Sequence, residues 1–365
     1  MSPASASGPL KGLRVIEFAG IGPGPFACML LSDMGADVVT VDRPGKKLGE
    51  VHNLTGRGRT VVLEDLKDAA ARERVFALIE KADVLIEGFR PGVMERLGFG
   101  PDAVLARNPR IVYGRMTGWG QSGPLALAAG HDLNYISISG ALAAIGPKDG
   151  APVPPLNLIG DYGGGSLYLL VGVLAALREA SVSGRGQVVD AAMSDGAASL
   201  MTNFISQGLR GLFSEKRGSN VLDGGAPYYA VYETADGEYV SLGAIEPQFF
   251  ADFCERAGVA PELRGAQNDR AKWPQLFDEF TRIFRSKTRA EWVRLLEGTD
   301  VCFAPVLPLS QAQAHPHNVA RQTFVEVNGV NQPAPAPRFS RTPSKIQGPA
   351  PAQATGLNEV LSRWG

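Results

Sequence analysis

Four histidines occur in the chain, at positions 52, 131, 315 and 317. His131 lies in GHDLNYISISG (130–140), a run of small and apolar residues whose only other charge is Asp132. Imidazole is the side chain that takes or gives a proton near neutral pH. That makes His131 a candidate acid or base; a packed, satisfied histidine is the plainer alternative. Asp161 heads DYGGG (161–165). Glycines after a carboxylate let a ligand come close, although Asp before such a run also serves as a turn former or helix N-cap. Glu246 stands between a strand-like run and Pro247, where a carboxylate suits the positive end of a helix. Asp132 reads as scaffold. In an extended segment neighbouring side chains point to opposite faces, and Asp commonly bonds local backbone N–H groups. Asn134 and Tyr135 either shape the pocket or pack.

Cys28, Cys254 and Cys302 are far apart and show no CxxC or Cys/His ligand spacing; the low, odd count suits a reducing, cytoplasmic setting. Cys302 is a nucleophile by type, but its apolar neighbours in TDVCFAPV suggest buried packing. His315 and His317 flank a proline and read as loop residues, so no metal site is expected. The charge balance, 36 Lys+Arg against 37 Asp+Glu, leaves no basic face for nucleic acid. MSPASASGP at the start has neither a basic nor an apolar region of the secretory kind. The longest apolar stretch, LYLLVGVLAAL (167–177), is too short to span a bilayer and reads as a buried helix, so no membrane partner is expected.

These residues need a frame. GLRVIEF reads as a strand, GIGPGP as a turn, residues 25–34 as an apolar helix and ADVVTVD as a second strand, the outline of a Rossmann-type βαβ unit. Pro23 and Pro25 remove N–H groups that a pyrophosphate would need, which favours a tight turn that starts a helix over a phosphate cradle. Strands and helices keep alternating through GQVVDAAM, followed by a long helix expected from Ser194 to about Gly208, so the fold class is α/β with a mainly parallel sheet. Beyond residue 220 the character changes. Tyr228–Thr234 and Glu238–Ala244 are joined by Ala-Asp-Gly, a hairpin signal, and helical segments follow at 247–257 and around 290–296. The domains expected are a large one at 1–190 plus 335–365, linking segments at 191–221 and 326–334, and a small α+β domain at 222–325.

FAGIGPGPFACMLLSDMGADVVTVDRP, EGFRPGVMERLGFG, GRMTGWGQSGP, GHDLNY and YYAVYETADGEYVSLGAIEPQFF occur in that order. Together they resemble the class III CoA-transferase family across about residues 10 to 345. GHDLNY followed by DYGGG resembles its α-methylacyl-CoA racemase branch. The resemblance implies a Rossmann-like large domain that binds CoA, a small domain, a C-terminal tail returning to the large domain, and an interlocked homodimer with active sites at the subunit interface.

Inverting a carbon next to a thioester carbonyl needs a base on one face, an acid on the other and stabilisation of the enolate between them. The resemblance implies that His131 and Asp161 are this acid/base pair, that Glu246 supports the histidine by hydrogen bonding, and that 2-methyl-branched acyl-CoA is the substrate, with no further cofactor. CoA carries phosphates, so arginines should line its groove. Arg43, Arg57, Arg59, Arg90 and Arg96 are the candidates, with Tyr135 shaping the site. Met193 and Met201 could offer a flexible apolar surface to the acyl chain, or simply pack. The alternative within the family is a CoA-transferase in which Asp161 attacks the thioester as a nucleophile. A third class, a non-catalytic acyl-CoA-binding protein, would need the arginines but not His131 and Asp161 together.

Overall fold

The computed structural model describes residues 7–365. Most of MSPASASGP, read above for targeting signals, lies outside them. The chain begins β1 (Arg14–Phe18), α1 (Pro23–Asp33), β2 (Asp37–Asp42), β3 (Arg59–Leu63), α2 (Ala69–Ile79), β4 (Val84–Glu87), α3 (Val93–Leu97), α4 (Pro101–Arg107) and β5 (Val112–Thr117). It continues with α5 (Asp132–Ile138), α6 (Ala141–Ala144), a π-helical segment (Leu158–Ser166), α7 (Leu167–Ser183), β6 (Val188–Ala192), α8 (Met193–Leu200) and α9 (Thr202–Leu209). Next come β7 (Tyr229–Glu233), β8 (Tyr239–Gly243), α10 (Pro247–Ala257), α11 (Trp273–Phe284), α12 (Arg289–Leu296) and β9 (Phe303–Val306). The last elements are α13 (Leu309–Ala312), α14 (Pro316–Ala320), the hairpin β10 (Phe324–Val327) and β11 (Val330–Pro333), and α15 (Leu357–Arg363).

Two compact units result. The first comprises residues 7–141 among those described, 155–202 and 320–365; the second comprises 142–154 and 203–319. The first is built on a six-stranded, all-parallel sheet in the order β3-β2-β1-β4-β5-β6. Both faces are covered, as a parallel sheet requires, so its central strands are buried almost throughout. Alternation divides their side chains between two cores. Ile16, Val39, Leu85 and Tyr113 pack with α2 and α15. Val15, Val38, Val84 and Val112 pack with α1 and α7 on the other face. The order of strands reverses between β1 and β4, and ligands of such sheets bind outside the carboxyl ends at that switch point.

In the second unit β7, β8 and β9 form an antiparallel sheet. Its core is rich in aromatic rings, with Phe253 against Phe280 and Phe284, and Phe284 against Trp292. The helix α11 was not expected, although WPQLFDEFTRIF places Trp273, Leu276, Phe280 and Ile283 at helical spacing and buries all four.

Four local expectations are corrected. GHDLNY is not extended, since α5 starts at Asp132 with His131 as its N-cap. The long helix after Ser194 is two helices, broken at Met201, whose N–H turns back to Ala198 O. The apolar α7 is buried on one side only. Leu169, Leu170 and Val173 are covered, whereas Leu167, Val171 and Leu174 are exposed. By length and composition alone, Leu158–Ser183 is long and apolar enough to cross a membrane; its buried side belongs to the sheet core. Cys302, expected in the core, is exposed with a left-handed φ of 55° at the turn before β9.

Candidate active site

A cavity of about 490 Å³ opens at the carboxyl ends of β1, β4 and β5, where the switch point predicts one. The β1–α1 turn (Gly20–Pro25), the β4 exit (Gly88–Pro91), and the segment from Ala126 to His131 form its walls, and Asp161 reaches into it. His131 is exposed on this wall at the head of α5. Its backbone N–H donates to Asn134 Oδ1 (3.0 Å), which fixes the residue at the helix start.

Asp161 comes from a different element, the π-helical segment. Such wide turns are rare in helices and frequent at functional sites. The half-buried carboxylate accepts a hydrogen bond from Asn157 Nδ2 at Oδ2 (3.0 Å), and its backbone N–H donates to Asp132 Oδ2 (2.7 Å). Burial pushes the Asp161 carboxyl up from its ordinary value; Asn157 pulls it down, the charge of Asp132 raises it, and the charge of His131 lowers it. His131 and Asp161 thus stand on the wall of one cavity.

The β1–α1 turn explains its glycines at this point. Gly22 has φ 67°, and a Cβ there would sit 3.1 Å from Asp161 Oδ2. The turn starts a helix, as the prolines imply, and also leaves room beside the carboxylate. Gly164 and Gly196 bring the π segment and α8 into backbone contact, because a Cβ on Gly196 would fall 1.9 Å from Gly164 O.

The structure sorts the expected CoA ligands. Arg90 lines the cavity and is exposed. Its turn is held by Glu87, which accepts from Phe89 N–H (2.7 Å) and from Arg115 Nε (2.9 Å), while Arg115 also donates to Glu95 (2.8 Å). Burial raises the Glu87 carboxyl, against the pull of the Phe89 N–H and Arg115. Arg43 and Arg96 are exposed and stand outside the cavity lining. Arg57 and Arg59 are buried and ion-paired, although Arg59 also lines a second cavity. Arg57 is buried on Asp33, Gln332 and Pro333 O, and Arg59 is buried on Glu17, Thr55 O and Pro25 O. Arg57, just before β3, is spent on tying α1 to β11, and Arg59 on tying β3 to β1 and the start of α1. Tyr135 lines the cavity, but its hydroxyl donates to Gly130 O and its ring stands edge-on to Trp119 at 4.7 Å. It offers a ring wall and no free donor.

This second cavity, of about 340 Å³, shares Glu17, Gly20, Ile21, Gly22 and Pro25 with the first and adds Lys46, Lys47 and the buried, Glu17-paired Arg59. These lysines were missed; the signal was the KK pair directly after the second strand's Asp-Arg-Pro-Gly turn. Asn157 was missed as well, because nothing in NLIGD (157–161) marks a residue one turn before the aspartate as its partner.

Glu246 belongs to the second unit. It caps α10, its carbonyl accepting from Phe249 N and Phe250 N, and its side chain is exposed. Its charge, after burial, helps push the Cys302 thiol up, so Cys302 is not an activated nucleophile. His315 Nε2 contacts Glu297 Oε1 at 2.8 Å, and no group of three metal-ligating side chains is assembled among the described residues.

A family model described as CoA-transferase family III matches residues 10–355. The chain belongs to CoA-transferase family III. It is 45% identical over 358 residues to alpha-methylacyl-CoA racemase of Mus musculus, covering 98% of this chain and 93% of that one. To the Homo sapiens protein of the same name it is 42% identical over 337 residues, covering 92% and 87%. The solved structure of Rv3272 from M. tuberculosis superposes with a TM-score of 0.81 at 28% identity, covering 98% of this chain and 100% of that one. The Rossmann-like fold class expected from the sequence is that of the family.

Proposed function

We propose that this family III protein is a racemase that interconverts the epimers of 2-methylacyl-CoA thioesters by 1,1-proton transfer. The observation that carries the reading is that His131 and Asp161, on separate elements, line one cavity at the switch point of the sheet. One group removes the α-proton, and the C–H electron pair passes into the enolate. The other group returns a proton to the opposite face, so atoms and charge balance. In the reverse direction the roles exchange. Burial raises the Asp161 carboxyl, which suits a group that both gives and takes a proton. A second proton-transfer group, His131, on the same cavity is what a racemase needs and a transferase does not, which weighs against the transferase reading that acetyl-CoA:oxalate CoA-transferase of Acetobacter aceti, 29% identical, exemplifies.

For the CoA moiety we look to Arg90 on the first cavity and Lys46 and Lys47 on the adjoining one, with the exposed Arg43 and Arg96 at hand for phosphate. Glu246 keeps the supporting role that the resemblance implies. The two proton-transfer groups supply the chemistry without a further cofactor, and the low, odd cysteine count supports a cytoplasmic setting.

The test is exchange. A single 2-methylacyl-CoA epimer is incubated with the protein in D2O, without an acceptor acid. Deuterium at the α-carbon with loss of optical purity is the expected result, and His131→Ala should lower the rate by at least about 100-fold while the protein stays folded. No exchange, together with CoA transfer once a carboxylic acid is added, would sink the racemase in favour of the transferase.

A further inference from the structure

Asp132 is only 6% exposed, yet it carries a carboxylate. One oxygen, Oδ2, accepts the backbone N–H of Asp161 across 29 positions of sequence at 2.7 Å. The other, Oδ1, is buried with no hydrogen-bond partner. A buried carboxylate oxygen left unpaired is costly, and a second carboxylate nearby adds repulsion. A purely structural acceptor for one N–H would be served more cheaply by a neutral side chain. The backbone has also been shaped around this contact, since a Cβ on Gly160 would lie 2.5 Å from Asp132 Oδ2. Asp132 is the first residue of the helix whose N-cap is His131.

We propose that Asp132 is a positioning residue: its carboxylate ties the head of α5, with His131, to the turn that carries Asp161, and so sets the relation between the two proton-transfer groups. The inference rests on the racemase reading. The charge of Asp132 also favours the protonated form of Asp161. The other groups on elements packed around the π segment are directed elsewhere. Tyr168 donates to Ser199, Asp190 accepts from Gln121 N–H, Arg115 binds Glu87 and Glu95, and Asp195 is exposed beside Ser194. Asn157 donates to Asp161 itself and Tyr135 donates to Gly130 O, while α1 meets the segment through the Phe26 ring stacked on Tyr162 and through Pro23 O, which accepts from Ser166 Oγ.

Deuterium exchange is measured for the parent, Asp132→Ala and Asp132→Asn, with kcat, KM and the pH profile, beside urea unfolding. Asp132→Ala should lose on the order of 100-fold in kcat with KM little changed, the cost of misplacing a reacting group. Asp132→Asn keeps an acceptor for the Asp161 N–H and should recover to within about tenfold of the parent, as general acid/base groups that stay in place retain most of their effect. Its acidic limb should move to lower pH, because the charge that favours protonated Asp161 is gone. Variants whose kcat and pH profile match the parent, or whose losses follow only the urea midpoint, overturn the role of Asp132 and leave the racemase standing. A parent that exchanges no deuterium overturns both.

Discussion

At the scale of residues, the site is a pair of titratable groups set off against each other by their surroundings. The charged form of Asp161 costs the fold something. Because burial raises its carboxyl above the ordinary 3.8, the protonated form favours folding fully below that value, and the benefit is lost as pH rises through the raised one. Asp161→Asn should therefore melt higher than the parent near neutral pH while losing catalysis, and the gap should close as pH falls toward 3.8. Calorimetry across that range checks it; a gap independent of pH would contradict the burial argument. His131 and Asp161 were legible because each residue type stands out against apolar or glycine-rich neighbours. The reach of Asp132 to Asp161 N was not, since sequence proximity suggested only local bonding and the partner lies in another element.

Elements place these residues through backbone contacts that glycine permits. The π segment lies on α8 where Gly164 and Gly196 meet, with no space for a methyl group between Gly196 and Gly164 O. Gly196→Ala should destabilise the fold by about 2–3 kcal/mol, as overpacking does, and lower exchange activity in proportion to the displaced Asp161. Urea unfolding and the D2O assay read both effects, and an unchanged midpoint would show that the two elements separate at no cost. The GHDLNY stretch shows how local reading fails. Its polar-apolar pattern over six residues does not separate a strand from the first turn of a helix, whereas the His131 N–H to Asn134 contact decides it. The break at Met201 was hidden for the same reason, since Ser194 to Gly208 is apolar enough to support one helix or two.

For the whole molecule, the exposed apolar faces call for a partner. Leu167, Val171 and Leu174 on α7 stand bare in the first unit, as do Ile205 and Leu209 on α9 in the second. Faces of this kind mark interaction surfaces, and we propose that a second copy covers them. Sedimentation equilibrium should give twice the 38.7 kDa chain mass at micromolar concentration; a monomer with full exchange activity would refute the dimer.

The sequence by itself determined the βαβ alternation, the hairpin after residue 228, the candidate pair His131 and Asp161, and membership of a family with several ordered motifs. Those features are local, carried by periodicity, turn chemistry and residue type. Only the tertiary structure decided which charges are available. Arg57 and Arg59 look in the sequence like any other exposed arginines, and become buried ties because Asp33 and Glu17 lie across the fold from them. It also decided that the glycines of GIGPGP make room beside Asp161, and that Asp132 joins the two halves of the site. Contacts between residues distant in sequence follow from how sheets and helices pack, and no window along the chain contains them.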